Sequence, residues 1–305
     1  MQFSVNYPIV QHPVPAELFT GAALMEFART AERVGFDGIG VTEHPAPSHK
    51  WLMNGGHDAF DPFVALSFVA AATERVRLIP NIVVLPYRNP LLAAKTIASL
   101  DVLSDHRFIL ATATGYLRSE YRALGVEFDE RNDRFDEAIE VLRGVWADDE
   151  FSFEGAHFTA AGVTANPKPV GPIPIWIGGN SKLARRRVAA VGDGWAPFFA
   201  PAVVSSTAKT PPLETLEQLS AMLDELWRFC DDAGRDRSTI DVQFSYLTRG
   251  SPGTPDFDVD GHLADLEELA RLGVTWAHVS VPGDSLTAAL EGLEAYGEQI
   301  IDATR

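Results

Sequence analysis

One cysteine, Cys230, occurs in 305 residues. No intramolecular disulfide can form, and no cysteine-built metal cluster is available. Basic residues are also few: 25 Lys and Arg stand against 42 Asp and Glu, for a formal charge of -17 at pH 7. That balance argues against nucleic acid or an anionic membrane as partner, since both need a basic patch to displace counterions. No apolar run approaches the roughly 20 residues of a membrane span. The opening MQFSVNYPIVQHPVP has neither a basic leader nor a long apolar core, so no signal peptide is expected and the protein is read as cytoplasmic. HExxH and spaced carboxylate-histidine sets are missing, so no metal is expected. The serine-nucleophile elbow GxSxG and the triphosphate loop are missing too, and no lysine lies within a predicted strand to form a Schiff base. By elimination, the chemistry belongs to an organic cofactor that the protein binds and orients.

What the chain does contain is a core. With 46% hydrophobic and 22% charged residues it reads as folded, and its length suits one α/β barrel domain over residues 1–305. Short β-branched or aromatic runs predict strands at residues 2–9, 38–44, 77–86, 108–115, 174–179, 195–200, 241–247 and 276–282. Amphipathic helices fall between them. Leu24, Phe27, Ala28, Ala31 and Val34 form one helical stripe, and Phe135, Ile139, Leu142 and Trp146 another. Asp61-Pro62 and Asn89-Pro90 mark helix starts, with a capping side chain ahead of a proline whose missing N–H costs nothing there. Strand-helix alternation implies parallel pairing with right-handed crossovers, and about eight units close a (β/α)₈ TIM barrel. A doubly wound sheet usually shows a glycine-rich turn after its first strand; here that strand runs into IVQHPVPAEL. Two short insertions interrupt the rhythm. FSFEGAHFTA (151–160) reads as a hairpin turning at Glu154-Gly155. PAVVSSTAKTPP (201–212) reads as a mobile loop on the catalytic face, either a lid or a plain surface loop.

Barrel enzymes place their active-site residues at the C-terminal ends of strands. The second strand ends Val41-Thr42-Glu43-His44-Pro45, putting a carboxylate beside an imidazole that can move a proton near neutral pH. Successive side chains alternate, which predicts that only one of the two reaches the barrel axis. Thr112, Thr114 and Gly115 end the fourth strand, where small residues let a planar ring approach the backbone. The fifth strand, Pro174 to Ser181, runs through Gly178-Gly179 into a helix whose N-terminus suits a phosphate. Lys182, Arg185, Arg186 and Arg187 follow; they read either as phosphate partners or as a solvated basic face. Trp51, Leu52, Met53, Phe60, Tyr116, Phe198 and Phe199 are candidates for an apolar substrate wall or for ordinary packing.

ERVRLIPNIVVLPYRNPLLAAKTIASLDVLSDHRFILATATGYLRSEYRALGV, NPKPVGPIPIWIGGNS with VGDGW, and ELFTGAALMEFARTAERVGFDGIGVTEH together resemble the luciferase-like flavin and deazaflavin oxidoreductases. The resemblance fades after about Trp195. It implies a barrel with its cofactor over the C-terminal strand ends and a non-proline cis peptide at Asn81-Ile82, although Ile79-Pro80-Asn81 stands where relatives often have Gly-Thr-Gly. By the same resemblance His44 is the catalytic residue, handling a proton or stabilising an anion. Asn81, Ile82, Thr114, Gly115, Ile177, Gly178, Gly179, Asn180 and Ser181 are implied to bind the cofactor. The implied cofactor is F420, an 8-hydroxy-5-deazaflavin whose negative tail would suit Lys182, Arg185 and Arg186, with Lys168 or Arg88; FMN is the alternative. Three functions follow: hydride transfer between F420 and a small organic substrate, an FMN-dependent two-component monooxygenase using O₂, or a non-catalytic flavin-binding protein. Implied partners are a small-molecule substrate, a separate reductase and a second copy of the chain.

Overall fold

β-branched and aromatic runs too short for helices, buried on both faces, form the inner ring of the protein. The computed structural model describes every residue except Leu247 and Thr248. Its strands are β1 (Gln2–Asn6), β2 (Gly38–Val41), β3 (Arg77–Pro80), β4 (Val83–Val84), β5 (Leu110–Ala113), β6 (Phe151–Glu154), β7 (Thr159–Val163), β8 (Ile175–Gly178), β9 (Gly194–Ala196), β10 (Asp241–Phe244) and β11 (Trp276–Val279). The helices are α1 (Gly21–Arg33), α2 (His49–Leu52), α3 (Pro62–Ala72), α4 (Pro90–Leu103), α5 (Arg118–Ala123), α6 (Arg131–Ala147), α7 (Lys182–Val191), α8 (Ala202–Ala208), α9 (Leu216–Asp232), α10 (Val259–Leu272) and α11 (Leu286–Tyr296).

All strands but β6 and β7 pair in parallel, in the order β3-β2-β1-β11-β10-β9-β8-β5-β4. A parallel bridge between Leu78 and Phe108 joins the two ends. β3 and β4 are halves of one strand, broken at Asn81-Ile82, whose peptide bond is cis. The ring therefore has eight strand positions, the number of a (β/α)₈ barrel. Strand pairing stops earlier than the apolar runs do, because residues such as Thr42 to His44 leave the ladder to line the barrel mouth. The seventh predicted strand is observed as Asp241–Phe244, and its last predicted residue, Leu247, lies outside the described residues.

Local signals explain the helix starts. Asp61 and Asn89 each accept two backbone N–H bonds ahead of Pro62 and Pro90. Ser181 caps α7 through the N–H of Ala184. The lower barrel is filled by Trp176 and Trp276, packed edge to face at 5.4 Å with Ile79, Ile109 and Ala111 around them. Gly194 makes that possible: a Cβ there would lie 2.3 Å from Cδ1 of Trp176.

Both insertions differ from expectation. The hairpin extends to Val163, and its turn covers residues 155–158 rather than Glu154-Gly155. Glu137 causes this by accepting the N–H groups of Ala156, His157 and Phe158. The segment 201–212 is not a plain loop, since α8 occupies Ala202–Ala208. Ser206 and Thr207 bond back to the carbonyl of Val203, so hydroxyl side chains do not stop this short helix. Reciprocal backbone bonds between Ala200 and Leu213 tie its base together.

Candidate active site

The C-terminal strand ends enclose a cavity of about 600 Å³. Its first wall is the end of β2. His44 donates from Nδ1 to Oε2 of Glu120 at 3.1 Å. Glu120 projects from α5, is 1% exposed, and also accepts the hydroxyl of Tyr87 (3.1 Å) and the N–H of Ala46 (3.2 Å). Because Tyr87 and Ala46 can only donate to this carboxylate, the network assigns the His44 proton to Nδ1. Nε2 is the ring atom left for the cavity. Glu43, its neighbour, also touches the cavity wall, but its carboxylate turns to the N–H of Val84 (2.6 Å) and to Arg88. Burial pushes the Glu43 carboxyl up despite the pull of Arg88.

Aromatic rings surround His44: Trp51 at 4.4 Å, His57 at 4.7 Å and Tyr116 at 6.2 Å between centroids. His57 binds the carbonyl of Asp58 through Nδ1 (2.9 Å), so Nδ1 carries the hydrogen. Burial pushes its pKa down, which favours the neutral ring. The Tyr116 phenol is pushed up to about 12 by burial, then by the charge of Glu120.

The floor is polar. His278 bonds Ser4 Oγ (3.0 Å) and Asn81 Nδ2 (3.0 Å), and Gln243 donates to Ser4 (2.9 Å). Burial lowers the His278 pKa to about 4. Asn6 Oδ1 and Thr42 Oγ1, both on residues lining the cavity, are buried with no hydrogen-bond partner in the protein. The opposite wall is Ile177, Gly178, Gly179 and Ser181. Gly179 has φ +105°, and a Cβ there would meet nothing within 4 Å, so the space beside its Cα is free; its N–H and carbonyl are taken by Ala196 and by Nε1 of Trp195.

This architecture has known counterparts, and residues 1–245 match the luciferase-like monooxygenase family. The chain belongs to that family. Among curated relatives, the F420-dependent glucose-6-phosphate dehydrogenase of Segniliparus rotundus is 29% identical over 236 residues, covering 76% of this chain and 67% of the relative. Its namesake from Microbacterium testaceum is 30% identical over 231 residues, covering 74% and 64%. The chain thus spans about two thirds of the length of these relatives, and 54% of the Gordonia bronchialis enzyme of the same name. Among solved structures, a monooxygenase from Streptomyces bottropensis superposes over the whole of both chains with TM-score 0.81 at 22% identity. The F420-dependent tetrahydromethanopterin reductase of Methanopyrus kandleri gives 0.75 at 16%, covering 100% of this chain and 99% of its own. These likenesses establish the barrel fold.

In this luciferase-like barrel, His44, Asn81, Ile82, Thr114, Gly115, Ile177, Gly178, Gly179 and Ser181 all line one cavity. Asn180 does not. It is fully buried and ties its side chain to the backbone of Phe198 and the carbonyl of Pro211, so it shapes the wall from behind. The expected basic cluster is also displaced. Lys182 and Arg185 pair with Glu225 of α9, and Arg186 lies over the ring of Phe229. Helix periodicity gives the reason: those residues face α9, whereas Ala184 and Arg187, three apart, face the cavity. Lys168 binds the carbonyls of Val145 and Asp148, and Arg88 pairs with Glu43 and Asp61. The cations that do line the cavity, among the described residues, are Arg131, Arg187 and Lys209. Of the expected apolar wall only Tyr116 and Phe198 line the cavity; Trp51 packs at a tilt against His44, and Phe60 packs on Tyr7 and Phe19. His12, near the first strand end, pairs with Asp58 instead. Glu120, His57 and His278 carry no signal in the sequence. Only the folded barrel brings them to His44 and Asn81.

Proposed function

We propose that this protein is an oxidoreductase that binds coenzyme F420 in the C-terminal cavity and moves a hydride between it and a small organic substrate. The observation that carries this reading is the cavity's division of labour. His44 and Glu120 stand at one side, Gly179 leaves side-chain space unfilled at the other, and Asn6 Oδ1 and Thr42 Oγ1, on residues that line the same cavity, have no partner in the protein. Unpartnered buried polar atoms are costly unless a ligand meets them, and the polar edge of a planar ring supplies such partners. The residues therefore fit the group. Asn81, Ile82, Thr114 and Gly115 would hold the ring, and Ile177, Gly178, Gly179 and Ser181, with the start of α7, the phosphate. The relatives that bear F420-dependent names, at 29–32% identity, favour the deazaflavin over FMN.

When bound, the deazaflavin supplies a ring carbon that gives or takes a hydride. The chain's own residues manage the proton and the solvent. Glu120 holds His44 in one orientation and one tautomer, leaving Nε2 to accept a proton from, or return it to, a substrate oxygen. Tyr87 and Ala46 hold Glu120 in turn. Phe198, Val204 and Ala208 roof the cavity and restrict water. Titration of the purified protein with F420, FMN and reduced FMN, followed by quenching of tryptophan fluorescence, tests the assignment. F420 is expected to bind at least about tenfold tighter than either flavin form. Preference for reduced FMN would move the protein to oxygen-dependent monooxygenation, and binding of none would remove the cofactor site.

A further inference from the structure

The F420-dependent glucose-6-phosphate dehydrogenases act, by their names, on a phosphorylated sugar, and a phosphate dianion demands cations. The cavity cations are one-sided. Counting round the barrel from β1, His44 follows the second strand position, Arg131 belongs to the helix after the fourth, Arg187 to the helix after the fifth, and Lys209 follows the sixth. The second and sixth positions of an eight-membered ring are diametrically opposed. Two of the cations are moreover engaged: Arg187 grips Asp136 with both arms of its fork, and Arg131 lies 3.9 Å over the Phe128 ring. The wall that carries them also carries Gly178, Gly179 and Ser181, where the cofactor phosphate is placed above.

The His44 side has the opposite character. Its acidic groups are Glu120, Glu43 and Asp58; Arg88 and His12 are already committed to Glu43 and Asp58. The residues that line the cavity at this end, Thr42, Glu43, His44, His57 and Tyr116, include no lysine or arginine. A phosphate dianion there would face a buried carboxylate without a counterion, an arrangement whose cost grows as water is excluded. What this side does offer is neutral and complementary: a phenol that donates and an imidazole with one acceptor nitrogen.

Resting on the F420 reading, we propose that the His44 end of the cavity takes an uncharged substrate bearing a hydroxyl or carbonyl, with Tyr116 and His57 selecting it. His57 is bound at Nδ1 by the Asp58 carbonyl, so its free polar atom is Nε2, which accepts from a hydroxyl. Tyr116 donates to a carbonyl. Phosphorylated sugars are rejected by the absence of cations at that end among the described residues. Such rejection is strong because it leaves buried charge unpaired.

Saturation-transfer NMR with cyclohexanol, cyclohexanone and glucose 6-phosphate tests this, on both the F420-loaded protein and the protein without F420. Running both states separates the two readings: failure of F420 to bind would sink the cofactor assignment while the substrate preference remains measurable. The uncharged pair is expected to bind at least about tenfold tighter than glucose 6-phosphate. In His57→Phe, cyclohexanol is expected to weaken by about tenfold with F420 affinity unchanged, and His57→Gln, which keeps an acceptor, is expected to recover part of the loss. Equal or tighter binding of glucose 6-phosphate overturns the proposal. So does a silent uncharged pair, or a His57→Phe variant that binds cyclohexanol as wild type does.

Discussion

Replacing Glu120 by glutamine changes one atom and sets three donors against one acceptor. In the native protein Ala46 N–H bonds to Oε1, while Tyr87 O–H and His44 Nδ1–H both bond to Oε2. If the amide oxygen takes the Oε2 place, the amide NH₂ confronts the N–H of Ala46. If it takes the Oε1 place, the NH₂ confronts Tyr87 and His44, and His44 can be satisfied only by moving its proton to Nε2. One conflict remains in either case. A buried unsatisfied donor costs about 1–3 kcal/mol. Removing a buried charge recovers part of its desolvation cost, which places Glu120→Gln toward the lower end of that range. In the second arrangement the functional consequence is larger, because a base with its proton on the wrong nitrogen loses a contribution of about 10²–10⁴ in rate. Chemical denaturation reads the first effect, and long-range proton–nitrogen NMR of the imidazole reads the second without requiring a substrate. A variant in which His44 keeps its proton on Nδ1 and stability is unchanged would refute the assignment of Glu120 as the orienting group.

Three further outcomes follow from the same geometry. Arg107 bonds the carbonyls of Ser104, Val76 and Ala70 and the hydroxyl of Thr73 beneath the barrel; Arg107→Met is expected to cost about 3–5 kcal/mol in denaturant unfolding while the folded protein binds F420 normally. Gly194→Ala is expected to lower stability by about 1–3 kcal/mol or more, since its Cβ would overlap Trp176; an unchanged denaturation midpoint would show that the tryptophan pair yields easily. His278, neutral when folded because its pKa is lowered to about 4, takes up its proton only on unfolding between its ordinary value and that one. Stability is therefore full above about pH 6.5 and falls as pH drops toward 4, by as much as about 3 kcal/mol. Buried His57 and His262 are shifted in the same direction, so the His278 share is the part of the slope that His278→Asn removes.

The barrel was legible because each strand is a short apolar run and each helix a stripe with its own start signal, Asp61-Pro62 and Asn89-Pro90 among them. Strand ends were less so. Thr42 to His44 have strand-like chemistry, yet they turn to the cavity once β2 has no further neighbour to pair with. At the site, residues that sit on strand ends were readable from position alone, as His44 and Gly178-Gly179 show. Their supports were not. Glu120 reaches His44 across 76 residues of chain, and Asn81 reaches His278 across 197. No local pattern encodes such a meeting. The basic run after Ser181 shows the opposite error: charge is visible in sequence, but which helix face carries it is decided by packing. There the acidic Glu225 on α9 takes Lys182 and Arg185, and the cavity receives Arg187.

The most direct test of the central claim is a crystal structure of the protein soaked with F420. The account predicts the deazaflavin ring against Asn81 and Ile82 with its phosphate at Gly178 to Ser181, and His44 Nε2 facing the ring's open side. Density for the cofactor outside this cavity, or a ring turned so that His44 lies beyond reach of any bound substrate oxygen, would contradict it.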